Sequence, residues 1–170
     1  TTRIAQNLFG DCKGLEKIEI PDTVQSIENQ AFYKCGSLTD VKIGNGVTKI
    51  GYGAFEDCSK LTTVVIPDSV VEIEHNSFSE CRSLSSVKLS SNLKTLEFGA
   101  FYNCDKLTSI MIPKSLEKAT SWSTVGGDGP FSECDNLKNV TFEAGTTRIA
   151  QNLFGDCKGL EKIEIPDTVQ

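Results

Sequence analysis

Apolar and polar positions along this chain alternate with a long, fixed period. The clearest marker is the pattern Phe-x-x-Cys, which occurs seven times: Phe9/Cys12, Phe32/Cys35, Phe55/Cys58, Phe78/Cys81, Phe101/Cys104, Phe131/Cys134 and Phe154/Cys157. Successive copies are 23, 23, 23, 23, 30 and 23 residues apart. The remaining apolar positions keep phase with it. The third copy reads Ile50, Ala54-Phe55, Cys58, Leu61, Val64, Ile66-Pro67, Val70, Ile73, and the second and fourth align with it position by position. A period of this length predicts a solenoid, one coil per unit, because a single unit cannot bury its own apolar side and must stack on its neighbours.

Each unit contains two shorter rhythms. Val64-x-Ile66 alternates, which predicts a strand with one buried face. Ala54, Phe55 and Cys58 lie at i, i+1 and i+4, which predicts a single helical turn with those residues on its inner side. Pro21, Pro67, Pro113 and Pro166 directly follow Ile20, Ile66, Ile112 and Ile165. Proline has no N–H to donate, so it should close the strand ladder there. The other copies use Gly44, Ser90 and Glu143 at that place. Val70 and Ile73 then form a second inward pair in a short extended segment. The expected architecture is therefore an α/β repeat with one solenoid domain over residues 1–170, about seven 23-residue coils with short helical or irregular turns on the outer side.

The 170 residues carry a net charge of −6 and a pI near 4.9. This argues against a nucleic-acid surface, which would need a basic stripe. No apolar run approaches the roughly 18 residues of a membrane helix, so no membrane insertion is expected of this segment. Thr1-Thr2-Arg3-Ile4-Ala5 leads directly into a repeat, with no signal peptide visible, although one could have been removed. All seven cysteines sit at one repeat position, and none has a second cysteine two to four residues away, as zinc sites require. Stacked in neighbouring coils about 4.8 Å apart, their Cα atoms would fall inside the disulfide window. Their side chains would be parallel, however, which makes the disulfide dihedral awkward. A buried ladder of free thiols acting as small apolar fillers is the expectation.

Leu-x-x-Val-x-Ile-Pro resembles the strand segment of a leucine-rich repeat. The 23-residue length and Ala-Phe-x-x-Cys are similar to the BspA-like, or treponemal-type, leucine-rich repeats, over essentially the whole chain. The resemblance implies a right-handed solenoid with a parallel β-sheet on its concave face. It also implies a setting in large surface or secreted proteins of bacteria and some protozoa, often linked to adhesion, and hence an extracellular or cell-surface location.

Two departures interrupt the regularity. Seven extra residues fall between Ala119 and Phe131, giving an inserted loop at 120–130 that is rich in Gly and Ser and holds the only tryptophan, Trp122. Insertions map to loops and often join a binding face. Trp122 is thus either a loop contact to a partner or a lid folded back over the disturbed coil edge. Secondly, residues 1–25 are identical to residues 146–170, an offset of 145. A longer array built from repeated blocks, of which this chain is a fragment, is the preferred reading. A copied repeat and a short protein stacking end to end are the alternatives. Apolar Ile4, Leu8 and Phe9 favour such end-to-end self-association.

Chemistry is sparse. His75 is the single histidine and falls on the outer turn, so no repeated Cys-His or Ser-His site can form. Glu56, Asp57, Asp105, Asp128, Glu133 and Asp135 follow a solvated outer side. Gly126-Gly127-Asp128-Gly129 lacks the Lys-Ser/Thr of a phosphate loop and the spaced aspartates of a calcium loop. No catalytic residue, cofactor or metal is expected. Surfaces remain. The outward strand positions are charged at both ends of the array and small or apolar in its middle. Thr63, Val65, Ser86, Ser109 and Met111, bordered by Lys42 and Lys88, form the expected protein-binding patch, because solenoid strand faces commonly bind and Met makes adaptable contacts. The partner would be a protein ligand on a host or neighbouring cell surface. Ordinary strand composition is the alternative explanation of the patch. A spacer array that projects other domains is the alternative function. Carbohydrate binding would want aromatic platforms, which these outward positions lack.

Overall fold

The computed structural model describes residues 2–121 and 129–170. Each coil contributes one main strand: Lys17–Ile20, Asp40–Ile43, Thr63–Val65, Ser86–Lys88, Ser109–Ile112, Asn139–Phe142 and Lys162–Glu164. All pairings are parallel and exactly one repeat apart in register: Lys17 faces Asp40, Thr63 faces Ser86, and Ser109 faces Asn139. Alternation decides the faces. Val64, Ile110 and Val140 are buried, while the residues beside them are outward. The strands Lys17–Ile20 and Ser109–Ile112 end immediately before Pro21 and Pro113, where the missing N–H stops the ladder. A second parallel sheet of six two-residue strands, from Arg3–Ile4 to Lys118–Ala119, collects the inward Ile27, Ile50, Ile73 and Leu96 on the next side of the coil.

The expected helical turn does not form: among the described residues there is no helix. In every coil but that of Phe131, where only Glu133 does so, two residues take left-handed backbone, two positions before and two after the repeated Phe. Examples are Asn7 and Asp11, Gln30 and Lys34, and Asn76 and Glu80. They break the segment into successive tight turns, and alternate N–H groups point in different directions. In the second coil Ala31, Tyr33 and Cys35 donate back to the carbonyls of Glu28, Gln30 and Phe32. Gln30, Phe32 and Lys34 donate along the solenoid to Tyr52, Ala54 and Glu56 of the next coil. A helix would keep every N–H within its own turn. The arch instead shares them, so its backbone is satisfied only in a stack.

The core is a set of ladders. The repeated Phe rings stack at centroid separations of 5.0–5.6 Å with interplanar angles of 4–20° from Phe9 to Phe154. Five of them, Phe32 to Phe131, are fully buried. Six of the seven thiols do more than fill space. Cys35 Sγ donates to the Phe9 carbonyl of the previous coil at 3.1 Å, and Cys58, Cys81, Cys104, Cys134 and Cys157 repeat the bond to Phe32, Phe55, Phe78, Phe101 and Phe131 at 3.0–3.4 Å. The cysteines are all free. Gly44 stands where four other coils have proline, close against the backbone of the preceding coil. A Cβ would meet the Ile20 carbonyl oxygen and the Pro21 carbonyl carbon, each at 2.6 Å.

Candidate functional site

The alternation of buried and exposed positions turns every second residue of the strands outward. Lys42, Thr63, Val65, Ser86, Lys88, Ser109 and Met111 are all exposed on this strand face. Val65 is 59 % and Met111 60 % exposed, large values for apolar side chains on ordered strands. Register sets their neighbours: Val65 faces Lys88, and Met111 faces Thr141. Lys42 is tied to Glu19 at 2.5 Å, and that hydrogen bond raises its pKa. Met111 stands between two shallow depressions. One is lined by Ser86, Ser109, Asn139 and Thr141, the other by Lys88, Leu89, Pro113 and Glu143. Asn139, Thr141 and Glu143 were not among the expected patch residues. The first two occupy the same outward positions one strand further on, a signal the repeat already carried.

Other expected positions resolve differently. Trp122 lies outside the described residues. Asp128 does too. His75 sits on the outer turn as expected, but it is half-buried and stacked between Tyr52 at 4.4 Å and Phe98 at 5.0 Å, all three rings lying three positions before the repeated Phe. Its Nδ1 lies 3.2 Å from a Glu97 carboxylate oxygen that also accepts the His75 backbone N–H. Glu56 is less solvated than its position suggested: its Oε2 is buried and has no hydrogen-bond partner. Burial, then repulsion from Asp57, raises its carboxyl pKa. Five of the thiols are held neutral. Burial pushes Cys35, Cys58, Cys81 and Cys104 above the ordinary thiol value, and Cys157 up to about 12. Nucleophilic thiolates need the opposite shift. Among the described residues no group of three His, Cys, Asp or Glu could hold a metal ion, and no helix is long and apolar enough to cross a membrane.

The family model for the BspA type leucine-rich repeat region matches six copies, over residues 2–125 and 123–170. The chain belongs to this family. Among solved structures, this BspA-type chain is similar to a leucine-rich repeat protein of T. pallidum, with 29% identity and a TM-score of 0.77 over 89% of this chain and 70% of that one. It is also similar to a leucine-rich repeat protein of Eubacterium ventriosum, with 34% identity and a TM-score of 0.57 over 62% of this chain and 28% of that one. The pneumococcal vaccine antigen PcpA shares the fold at 19% identity, with a TM-score of 0.62 over all of this chain and 57% of that one. A comparison with curated proteins finds no match. Leucine-rich repeat proteins of this kind are generally non-enzymatic, and the chain is a repeat module of binding or structural type.

Proposed function

We propose that this BspA-type segment is a non-catalytic, adhesion-type binding module of a secreted or cell-surface protein, and that it binds a protein partner through the concave strand face. The observation that carries the reading is the pair of exposed apolar side chains, Val65 and Met111, on rigid parallel strands with small hydroxyl residues between them and Lys42 and Lys88 alongside. Ser86 and Ser109 leave room around Met111, so a partner side chain can reach its thioether and the grooves on either side. Lysines beside an apolar spot in a chain of net charge −6 favour a protein segment with apolar side chains flanked by carboxylates. The pushed-up thiols and the single histidine support a role without catalysis.

The test is the double variant Val65→Glu, Met111→Glu. Both sites are exposed, so the melting temperature should stay within about 2 °C of the parent, as for surface substitutions of about 0.5 kcal/mol. Attachment of the labelled protein to a host-cell monolayer should fall at least tenfold, the loss expected when contacts worth about 2 kcal/mol go. Attachment unchanged with the fold intact would leave the spacer reading in possession of the field.

A further inference from the structure

Sulfur occurs in this chain as seven thiols and one thioether, Met111, and the two kinds sit in opposite surroundings. Cys35, Cys58, Cys81, Cys104 and Cys134 are fully buried, and Cys12 and Cys157 are half-buried. Met111 instead stands 60 % exposed on its strand, with a groove on either side. Lys88 and Thr141 are its neighbours across the strands, and Ser109 lies two positions before it on its own strand. No described residue lining either groove is aromatic, so no ring covers the thioether. Val65, the other apolar side chain of the face, has no heteroatom to oxidise.

Taking the strand face as the binding surface proposed above, we infer that Met111 is an oxidation site, and that conversion of its thioether to the sulfoxide by hydrogen peroxide releases the partner. A sulfur lone pair attacks one peroxide oxygen and the O–O bond breaks. The departing hydroxide takes the proton from the transferred oxygen and leaves as water, so sulfur loses two electrons and the peroxide gains them. A thioether has no proton to lose and reacts at any pH, whereas a thiol reacts as its thiolate. Burial raises the thiol pKa values of Cys58 and Cys81, which keeps them neutral as well as covered. Peroxide therefore reaches Met111 before the core thiols. The product is polar where the partner needs an apolar contact. A sulfoxide buried at an interface without a donor costs affinity. In the unbound chain it stays in water, with Lys88 and Thr141 beside it as donors. Oxidation thus acts on binding and spares the fold. It is also reversible, because sulfoxide reductases restore the thioether.

The test treats the 170-residue chain with hydrogen peroxide at about pH 6, where ordinary thiols are also protonated, and follows each sulfur by mass spectrometry. Met111 should gain one oxygen at a rate within about threefold of a methionine in an unstructured peptide, while Cys58 and Cys81 gain none in that time. The melting temperature should stay within about 2 °C of the untreated chain. Attachment to the host-cell monolayer should fall at least about fivefold, and methionine sulfoxide reductase should restore it. Slower oxidation of Met111, or a loss of attachment that the reductase does not reverse, would overturn the inference. The Val65→Glu, Met111→Glu variant separates its failure from that of the binding surface. If that variant attaches like the parent, the surface is wrong and the oxidation switch falls with it. If the variant fails to attach while the fully oxidised parent still attaches, the surface stands and the switch alone falls.

Discussion

Replacing Phe78 by Ala removes one rung from the middle of the aromatic ladder. Phe78 is fully buried, and its ring lies between Phe55 at 5.1 Å and Phe101 at 5.3 Å, nearly parallel to both. The loss of a buried ring and the cavity left behind should cost about 3–5 kcal/mol. For a chain of this length, each kcal/mol moves the melting point by about 2–4 °C, so the midpoint should drop by roughly 6–20 °C. The ladder makes a sharper claim than the single variant does. Phe55 and Phe78 touch, so Phe55→Ala and Phe78→Ala should show a coupling of about 0.5–3 kcal/mol in a double-mutant cycle. Phe32 and Phe101 are three coils apart and stack on no common ring, so that pair should be additive within about 0.5 kcal/mol. Urea denaturation followed by circular dichroism measures both. A Phe78→Ala cost under about 1 kcal/mol, or equal coupling for the two pairs, would refute the stacking argument.

Further expectations follow from other ladders. Gly44→Ala should destabilise by about 1–3 kcal/mol, because its Cβ would press on the backbone of Ile20 and Pro21, whereas Gly14→Ala, with nothing within 4 Å, should be neutral or stabilising by up to about 1 kcal/mol; melting curves separate the two. The buried thiols give a pH dependence whose sign is fixed. Burial raises the thiol pKa values of Cys58, Cys81 and Cys104 above 9.0 in the folded chain. Their stabilising contribution is thus complete below the unfolded thiol value and is lost as pH rises past it. Stability should fall above about pH 9, by up to about 1.4 kcal/mol per pH unit for each such thiol. Urea midpoints at pH 8 and pH 10 check this, with Cys58→Val, Cys81→Val as the flatter control. Thiol labelling at pH 8 should reach half-buried Cys12 first and Cys81 only at the rate of unfolding, as timed mass spectrometry would show.

The period, the two sides of the strand and the Phe ladder were legible in the sequence because each repeats in every coil, and an error in one copy is corrected by six others. The outer arch was misread for a physical reason. Ala54, Phe55 and Cys58 do share an inner side, but a helix is one of two ways to achieve that. The other uses left-handed residues, and their signal was present: Asn7, Gly53, Asn76, Gly99 and Asn152 stand two positions before the repeated Phe, and Asp11, Asp57, Asn103 and Asp156 two positions after it. Gly, Asn and Asp are the residue types that tolerate that backbone. Gln30, Lys34 and Glu80 at the same places obscured the pattern. The Tyr52–His75–Phe98 stack had no comparable signal, since it spans three coils and mixes residue types. One of the two Met111 grooves also escaped the one-dimensional reading, because Glu143 reaches it from the turn after the next strand.

The most direct test of the account is photo-cross-linking with a photoreactive phenylalanine placed at Thr63, on the strand face, or at Lys106, an exposed position on the outer turn. Both proteins should fold and melt alike. Irradiated on a host-cell monolayer, the Thr63 probe should yield a discrete protein adduct that the Val65→Glu, Met111→Glu background abolishes, and the Lys106 probe should yield none. An adduct from Lys106 alone, or one from Thr63 that survives the double substitution, would contradict recognition through the strand face.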